Sequence, residues 1–249
     1  MIEKNVDIKT RDGQMDTFVC MPEEGGPSPV VIFYMDAPGI REELRDMVRR
    51  ITAVGYYVLL PNLYYRAHRA DEVPFDAKRI HESDEERNKM WSLMKSIADN
   101  NLISSDTQAM LDFLGGEDQA KPPPYGCVGY CMSGQSVFTA AGAFPNQFAA
   151  MASFYGVGLI TDRDDSPHRL AQNIRGELYF AFAEEDRYVP QSVIDGLPKI
   201  LDPLDVTYRI ETYPGTEHGF AFPKRHCYNK GAAERHWERI FDLFRRRLS

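Results

Sequence analysis

The segment Gly126-Cys127-Val128-Gly129-Tyr130-Cys131-Met132-Ser133-Gly134 limits what this chain can fold into more than any other stretch. It reads as a buried strand that turns sharply into a helix with a thiol at the apex. Such a turn strains the backbone of the apical residue and brings the strand against the first helical turn, so small residues are needed two positions before and two after it. Gly129 and Ser133 occupy those positions around Cys131, and Gly134 lets the helix pack closely. Centring the turn on Ser133 would put Cys131 and Gln135 at the small positions, and the glutamine does not fit. Cys131 is the expected nucleophile and Ser133 its rival; the bland reading of Cys131 is a small core residue.

The remaining sequence supplies a sheet for this turn. Asp12-Gly13 between the alternating segments 6–8 and 15–21 signals an opening β-hairpin. Apolar runs predict strands at 30–34, 56–60, 126–130, 148–154, 177–182 and 206–213. Helical periodicity covers 42–53, with Leu44, Met47, Ile51 and Val54 on one face, and 84–114 with a break near 99–101. It returns at 134–144 and at 231–247, where Trp237, Ile240, Phe241 and Phe244 share a face. Strands alternating with helices imply an α/β fold with a mostly parallel central sheet, flanking helices and an N-terminal hairpin.

With 249 residues and 43% hydrophobic content the chain can bury one sizeable core, and a single domain over 1–249 is expected. A net charge of −8 argues against nucleic acid or an anionic membrane as partner. The absence of a leader-like apolar segment and of a long apolar run points to a cytoplasmic protein. Cys20, Cys127, Cys131 and Cys227 are too few and too scattered for a disulfide framework. Cys127 and Cys131 have three residues between them, a metal spacing only if other ligands converge, and no second Cys or His pair supplies them. Neither a metal nor a cofactor is expected, and no Gly-rich phosphate loop occurs.

A thiol on such a turn needs a base, and the base an orienting acid, which in sheets of this type follow in the order nucleophile, acid, base on loops after later strands. Asp186, in Glu185-Asp186-Arg187-Tyr188-Val189-Pro190, and His218, in Glu217-His218-Gly219-Phe220, lie just beyond the two last apolar runs. Both fall where strand carboxyl ends converge. The alternatives are weaker: Asp162, Asp164 and Asp165 read as a solvated loop, His226 lies in a basic loop, and His236 falls inside the terminal amphipathic helix. The charged stretch 66–87 reads as a solvated face that can also cap the site, with Phe75, Trp91 and Met94 as its apolar underside.

The elbow Gly129-Tyr130-Cys131-Met132-Ser133-Gly134, the segments Pro61-Asn62-Leu63-Tyr64 and Phe154-Tyr155-Gly156-Val157-Gly158, Asp186 with Val189-Pro190, and His218-Gly219-Phe220-Ala221 together resemble the dienelactone hydrolase family of α/β-hydrolases, over nearly the whole length. The resemblance implies a Cys131/His218/Asp186 triad and hydrolysis of small lactones or esters through an acyl-enzyme. An oxyanion needs backbone N–H donors; Met132, next to the nucleophile, is expected to give one and Ala37 the other. In the family the position of Asp36 is usually a glutamate that pairs with the thiol. Asp36, one methylene shorter, is read either as a thiol-activating acid or as a solvated loop aspartate.

Arg87, Trp91, Gly219 and Phe222 complete the residues expected around the thiol and substrate. The family's characterised lactonases hold a substrate carboxylate with two arginines. Arg87 matches the first position, and Phe222 stands at the second, so a less anionic or more aromatic substrate is expected. The rival functions are an idle fold-mate that only binds a small molecule, and a thiol-dependent peptide or carbonyl hydrolase. The partner expected is a small-molecule ester or lactone, and the oligomeric state is open.

Overall fold

The computed structural model describes residues 1–248. Its frame is one eight-stranded sheet in the order β1-β2-β4-β3-β5-β6-β7-β8. The strands are β1 (Ile2–Thr10), β2 (Gly13–Met21), β3 (Val30–Tyr34), β4 (Tyr57–Pro61), β5 (Tyr125–Tyr130), β6 (Phe148–Phe154), β7 (Glu177–Glu185) and β8 (Tyr208–Glu217). The first two form the antiparallel hairpin expected around Asp12-Gly13, and β2 runs antiparallel to β4. From β4 to β8 every pairing is parallel. Parallel strands must be covered on both faces, which is why β3, β4 and β5 are buried throughout and read as unbroken apolar runs.

The helices are α1 (Glu42–Thr52), α2 (Asp84–Ser96), α3 (Asn100–Leu114), α4 (Gly134–Ala143), α5 (Gln191–Leu201) and α6 (Lys230–Arg247). Leu44, Met47 and Ile51 of α1 are buried, each contributing about 1.5–3 kcal/mol relative to exposure. Val54, expected on the same face, lies past the helix end and is exposed. The long helical periodicity at 84–114 is two helices because two caps divide it. The Ser83 side chain accepts from the Glu86 N–H, and the Asp99 side chain accepts from the Asn101 N–H at 2.8 Å. On α6, Trp237, Ile240 and Phe244 are buried as the pattern requires.

Two strands run further than their apolar runs suggest. β7 continues to Glu185 and β8 to Glu217, because polar residues at a sheet's end still pair through backbone, as in the Glu185–Glu217 register pair. Asp186 and His218 therefore follow their strands directly. In the same register, Tyr34 pairs with Gly129 and Tyr130 with Phe154, which brings the carboxyl ends of β3, β5, β6, β7 and β8 to one edge of the sheet. No helix among the described residues is long and apolar enough to cross a membrane.

Candidate active site

Cys131 sits at the junction of β5 and α4 with φ = +54°, in the left-handed region that a non-glycine residue enters only under strain of order 1–3 kcal/mol. The surroundings hold it there. Its carbonyl accepts from the Val157 N–H at 2.9 Å, and the Ser133 hydroxyl donates to the Met35 carbonyl. Gly129 is required sterically: a Cβ there would lie 2.6 Å from the Ser133 carbonyl oxygen and 2.9 Å from Val137 Cγ2. Gly134 is in the same situation against Gly156. Ser133, the rival nucleophile, is fully buried with its hydroxyl engaged, whereas Cys131 is partly exposed and lines the site's cavity.

Asp186 and His218 meet Cys131 there. The Asp186 Oδ1 accepts from the Tyr188 N–H at 2.8 Å and the Val189 N–H at 3.2 Å, which pins the carboxylate in its own turn. Oδ2 remains for His218 Nδ1 at 2.7 Å. Both side chains are nearly buried, at 7% and 2% exposure for His218 and Asp186. The imidazole lies between two aromatic rings, Tyr155 at 4.9 Å and Tyr188 at 4.8 Å between centroids. With Nδ1 committed to Asp186, Nε2 is buried without a hydrogen-bond partner among the described residues. Burial pushes the His218 pKa down, but the pull of Cys131 and the hydrogen bond to Asp186 outweigh it and push it up to about 9. An imidazole so placed keeps its proton at neutral pH.

Ala37 lines the same cavity. Its N–H makes no hydrogen bond to another described residue. The peptide that carries this N–H is fixed from its other side, since the Gly39 N–H donates to the Asp36 carbonyl at 2.9 Å. Met132 follows the thiol in a single 3₁₀ turn that leads into α4. A thiol, a protonated imidazole and an uncommitted backbone donor around one cavity are the parts that acyl transfer requires.

The cavity is about 760 Å³. One wall is apolar, from Ile80, Met90, Trp91 and Met94. Trp91 leans on Tyr188 at 6.1 Å, and Arg87 lines the cavity while paired to Asp84 of its own helix. Three arginines (Arg87, Arg187, Arg225) and three carboxylates (Glu185, Asp186, Glu217) are in the lining, so no net field of one sign is imposed. Phe75, expected in the apolar underside, is instead buried in the core cluster and does not line the cavity.

Three expected contacts fall elsewhere. Asp36 is neither solvated nor hydrogen-bonded to Cys131; it is fully buried, and Arg41 grips it at 2.6 and 3.1 Å while Arg225 holds Oδ2 at 2.7 Å. A buried carboxylate has to be paired, and two guanidiniums do this more closely than a thiol would. Phe222 is also fully buried, outside the cavity lining, with the Arg41 and Arg225 guanidiniums 5.2 and 4.6 Å from its ring centre. Arg225, which lines the cavity, is thus already neutralised by Asp36. Gly219 has φ = +98°, and a Cβ on it would lie 2.7 Å from Arg225 Nη1. Its role is to let Arg225 fold back to Asp36, not to touch the cavity.

The other candidates are placed as follows. Asp165 binds the Asn100 N–H at 2.8 Å and pairs with Arg163, fixing the start of α3. His236 is buried in α6, within 2.6 Å of the Tyr130 hydroxyl, and burial pushes its pKa down to about 3. His226 lies at the cavity rim against His81, 5.9 Å between centroids. The sequence reasoning did not single out Arg41, Arg225 or Tyr64 for the site. The one available signal was their setting, in or just beyond segments that were already marked.

Residues 15–248 match the family model described as the dienelactone hydrolase family. A Synechocystis protein named "Putative carboxymethylenebutenolidase" is 28% identical over 253 residues, covering 98% of this chain and 99% of its own length. "Protein usf" of Aquifex pyrophilus is 26% identical, covering 93% of each. Among solved structures, a "Putative Dienelactone Hydrolase" from Klebsiella pneumoniae superposes with a TM-score of 0.85 at 21% identity, covering 98% of both chains. A "Dienelactone Hydrolase-like Promiscuous Phospotriesterase P91" from metagenomic libraries gives 0.79 at 17% identity, covering 100% of this chain and 99% of its own. At these identities the two structures establish the shared α/β-hydrolase fold.

Proposed function

Because the chain belongs to the dienelactone hydrolase family, and is a hydrolase on that ground, we propose that it cleaves small lactones or carboxylic esters, without a cofactor, through a Cys131 acyl-enzyme. The observation that carries this reading is the strained Cys131 beside a His218 whose Nδ1 is committed to Asp186 at 2.7 Å and whose Nε2 is left without another hydrogen-bond partner among the described residues.

The thiolate of Cys131 attacks the carbonyl carbon, and the C=O electron pair moves to oxygen, where the Ala37 and Met132 N–H groups receive it. Collapse of this tetrahedral species expels the alkoxide, which takes the proton from His218 Nε2. The thioester on Cys131 is then attacked by water that gives a proton to neutral His218, and the acid product leaves as the thiolate re-forms. Asp186 keeps the imidazole oriented throughout. With charge balanced in the lining and an aromatic wall at Trp91, a neutral or aromatic substrate fits best.

The test is a substrate panel containing a dienelactone, a neutral lactone and an aryl acetate. The reading expects the neutral lactone or the aryl ester to have the highest kcat/KM. A clear preference for the anionic dienelactone would overturn the substrate assignment while leaving the chemistry standing.

A further inference from the structure

The loop after β4 places a tyrosine against both expected oxyanion donors. Tyr64 is fully buried, and its hydroxyl donates to the Ala37 carbonyl at 2.8 Å. The same oxygen lies 3.4 Å from Met132 Sδ. Burial, with Asp36 and Cys131 as nearby negative charges, raises the Tyr64 pKa well above its ordinary value. The hydroxyl therefore keeps its proton, and it remains a donor at every working pH.

Its position is fixed from below. The Asn62 side chain accepts from the Tyr64 N–H at 2.9 Å while donating to Asp16 Oδ1 and the His68 carbonyl, each at 2.9 Å. Asp16 Oδ2 in turn accepts from the Ala70 N–H at 2.8 Å. The ring packs beside Gly39, whose φ of +79° turns the oxyanion loop. The carbonyl that Tyr64 holds belongs to the Ala37–Pro38 peptide, which has no N–H of its own to anchor it.

The backbone around Ala37 is thus clamped on both sides. The Gly39 N–H fixes the preceding peptide through the Asp36 carbonyl at 2.9 Å, and Tyr64 fixes the following one. Between the clamps the Ala37 N–H is left uncommitted. A donor that is already aimed needs no reorganisation when negative charge develops, and this is the source of most oxyanion-hole stabilisation.

We infer that Tyr64 is a positioning residue for acyl transfer, setting the orientation of the Ala37 N–H and its spacing from the donor of Met132. It acts through Ala37 and touches no reacting atom. The inference rests on the functional reading above. A lost oxyanion donor costs about 100- to 1000-fold, and a misaimed one costs part of that, about 10-fold or more in acylation rate.

The experiment compares wild type with Tyr64→Phe in two reactions of Cys131. Single-turnover acylation by an aryl acetate develops an oxyanion; alkylation by iodoacetamide consumes the same thiolate without one. Acylation slowed about 10-fold or more with alkylation unchanged supports the inference. Equal acylation, or both reactions slowed alike, overturns it and leaves the functional reading intact. If the wild type itself is not acylated on Cys131, the functional reading fails and this inference with it. Should Tyr64→Phe lose cooperative melting, Asn62→Ser, which loosens the support under Tyr64 and leaves Gly39 in place, is compared in the same two reactions, and the same split or its absence decides.

Discussion

Replacing Cys131 by alanine lowers the pKa of His218. An ordinary histidine titrates near 6.5, and His218 is pushed up to about 9. That difference is about 2.5 units, or roughly 3.4 kcal/mol in favour of the imidazolium at ~1.36 kcal/mol per unit. Burial acts in the opposite direction, so the attraction from Cys131 and Asp186 together exceeds this sum. The sulfur is the foremost of the raising causes, and without it burial and the 2.7 Å bond to Asp186 remain in opposition. The expected fall is at least about 1 unit, a tenfold change in proton affinity. For stability the pair counts as a unit, since a folded thiolate with an imidazolium holds the same single proton as an unfolded thiol with a neutral imidazole, so the His218 shift is read from its own titration and not from melting. Proton NMR titration of the imidazole, assigned by its disappearance in His218→Gln, reads the shift. A His218 pKa that moves by less than about 0.3 unit would refute the thiolate–imidazolium pairing.

Two further outcomes bear on the elbow and its support. Gly129→Ala forces a Cβ to 2.6 Å from the Ser133 carbonyl oxygen; overpacking of this kind costs about 1–3 kcal/mol, and urea unfolding should show that loss together with a fall in esterase activity. His236, pushed down to about 3 by burial, contributes stability above pH ~6.5 that drains away as pH falls toward 3. By pH 4.5 about 2–3 kcal/mol is gone on that account, and the acid limb of the melting curve should be shallower in His236→Gln, which keeps a side-chain amide near Tyr130.

The three residues of the proposed triad were legible because each signal is local. Cys131, Asp186 and His218 all stand at the end of an apolar run, and the small residues around Cys131 answer a steric demand within a few positions. The strand ends at Glu185 and Glu217 were less so, because backbone pairing continues after the apolar pattern has stopped. The distant partner of Asp36 was harder to read than Arg41, five positions away. Arg225 reaches it across 189 positions, and only the folded loop with Gly219 at φ = +98° permits that approach. Phe222 misled for the same reason: its position in the sequence places it by the site, while packing buries it behind Arg225. Tyr64 was visible within Pro61-Asn62-Leu63-Tyr64, but its grip on Ala37 depends on two loops meeting.

Trapping the acyl-enzyme tests the central claim most directly. Wild type and Cys131→Ala are mixed with an aryl acetate, quenched within the first turnover and digested for mass spectrometry, with aryl alcohol release followed in parallel. The account predicts a burst of about one equivalent per active site, an acetyl thioester on Cys131, and neither in the alanine variant. Acetyl found on Ser133, or turnover in Cys131→Ala equal to wild type, would contradict it.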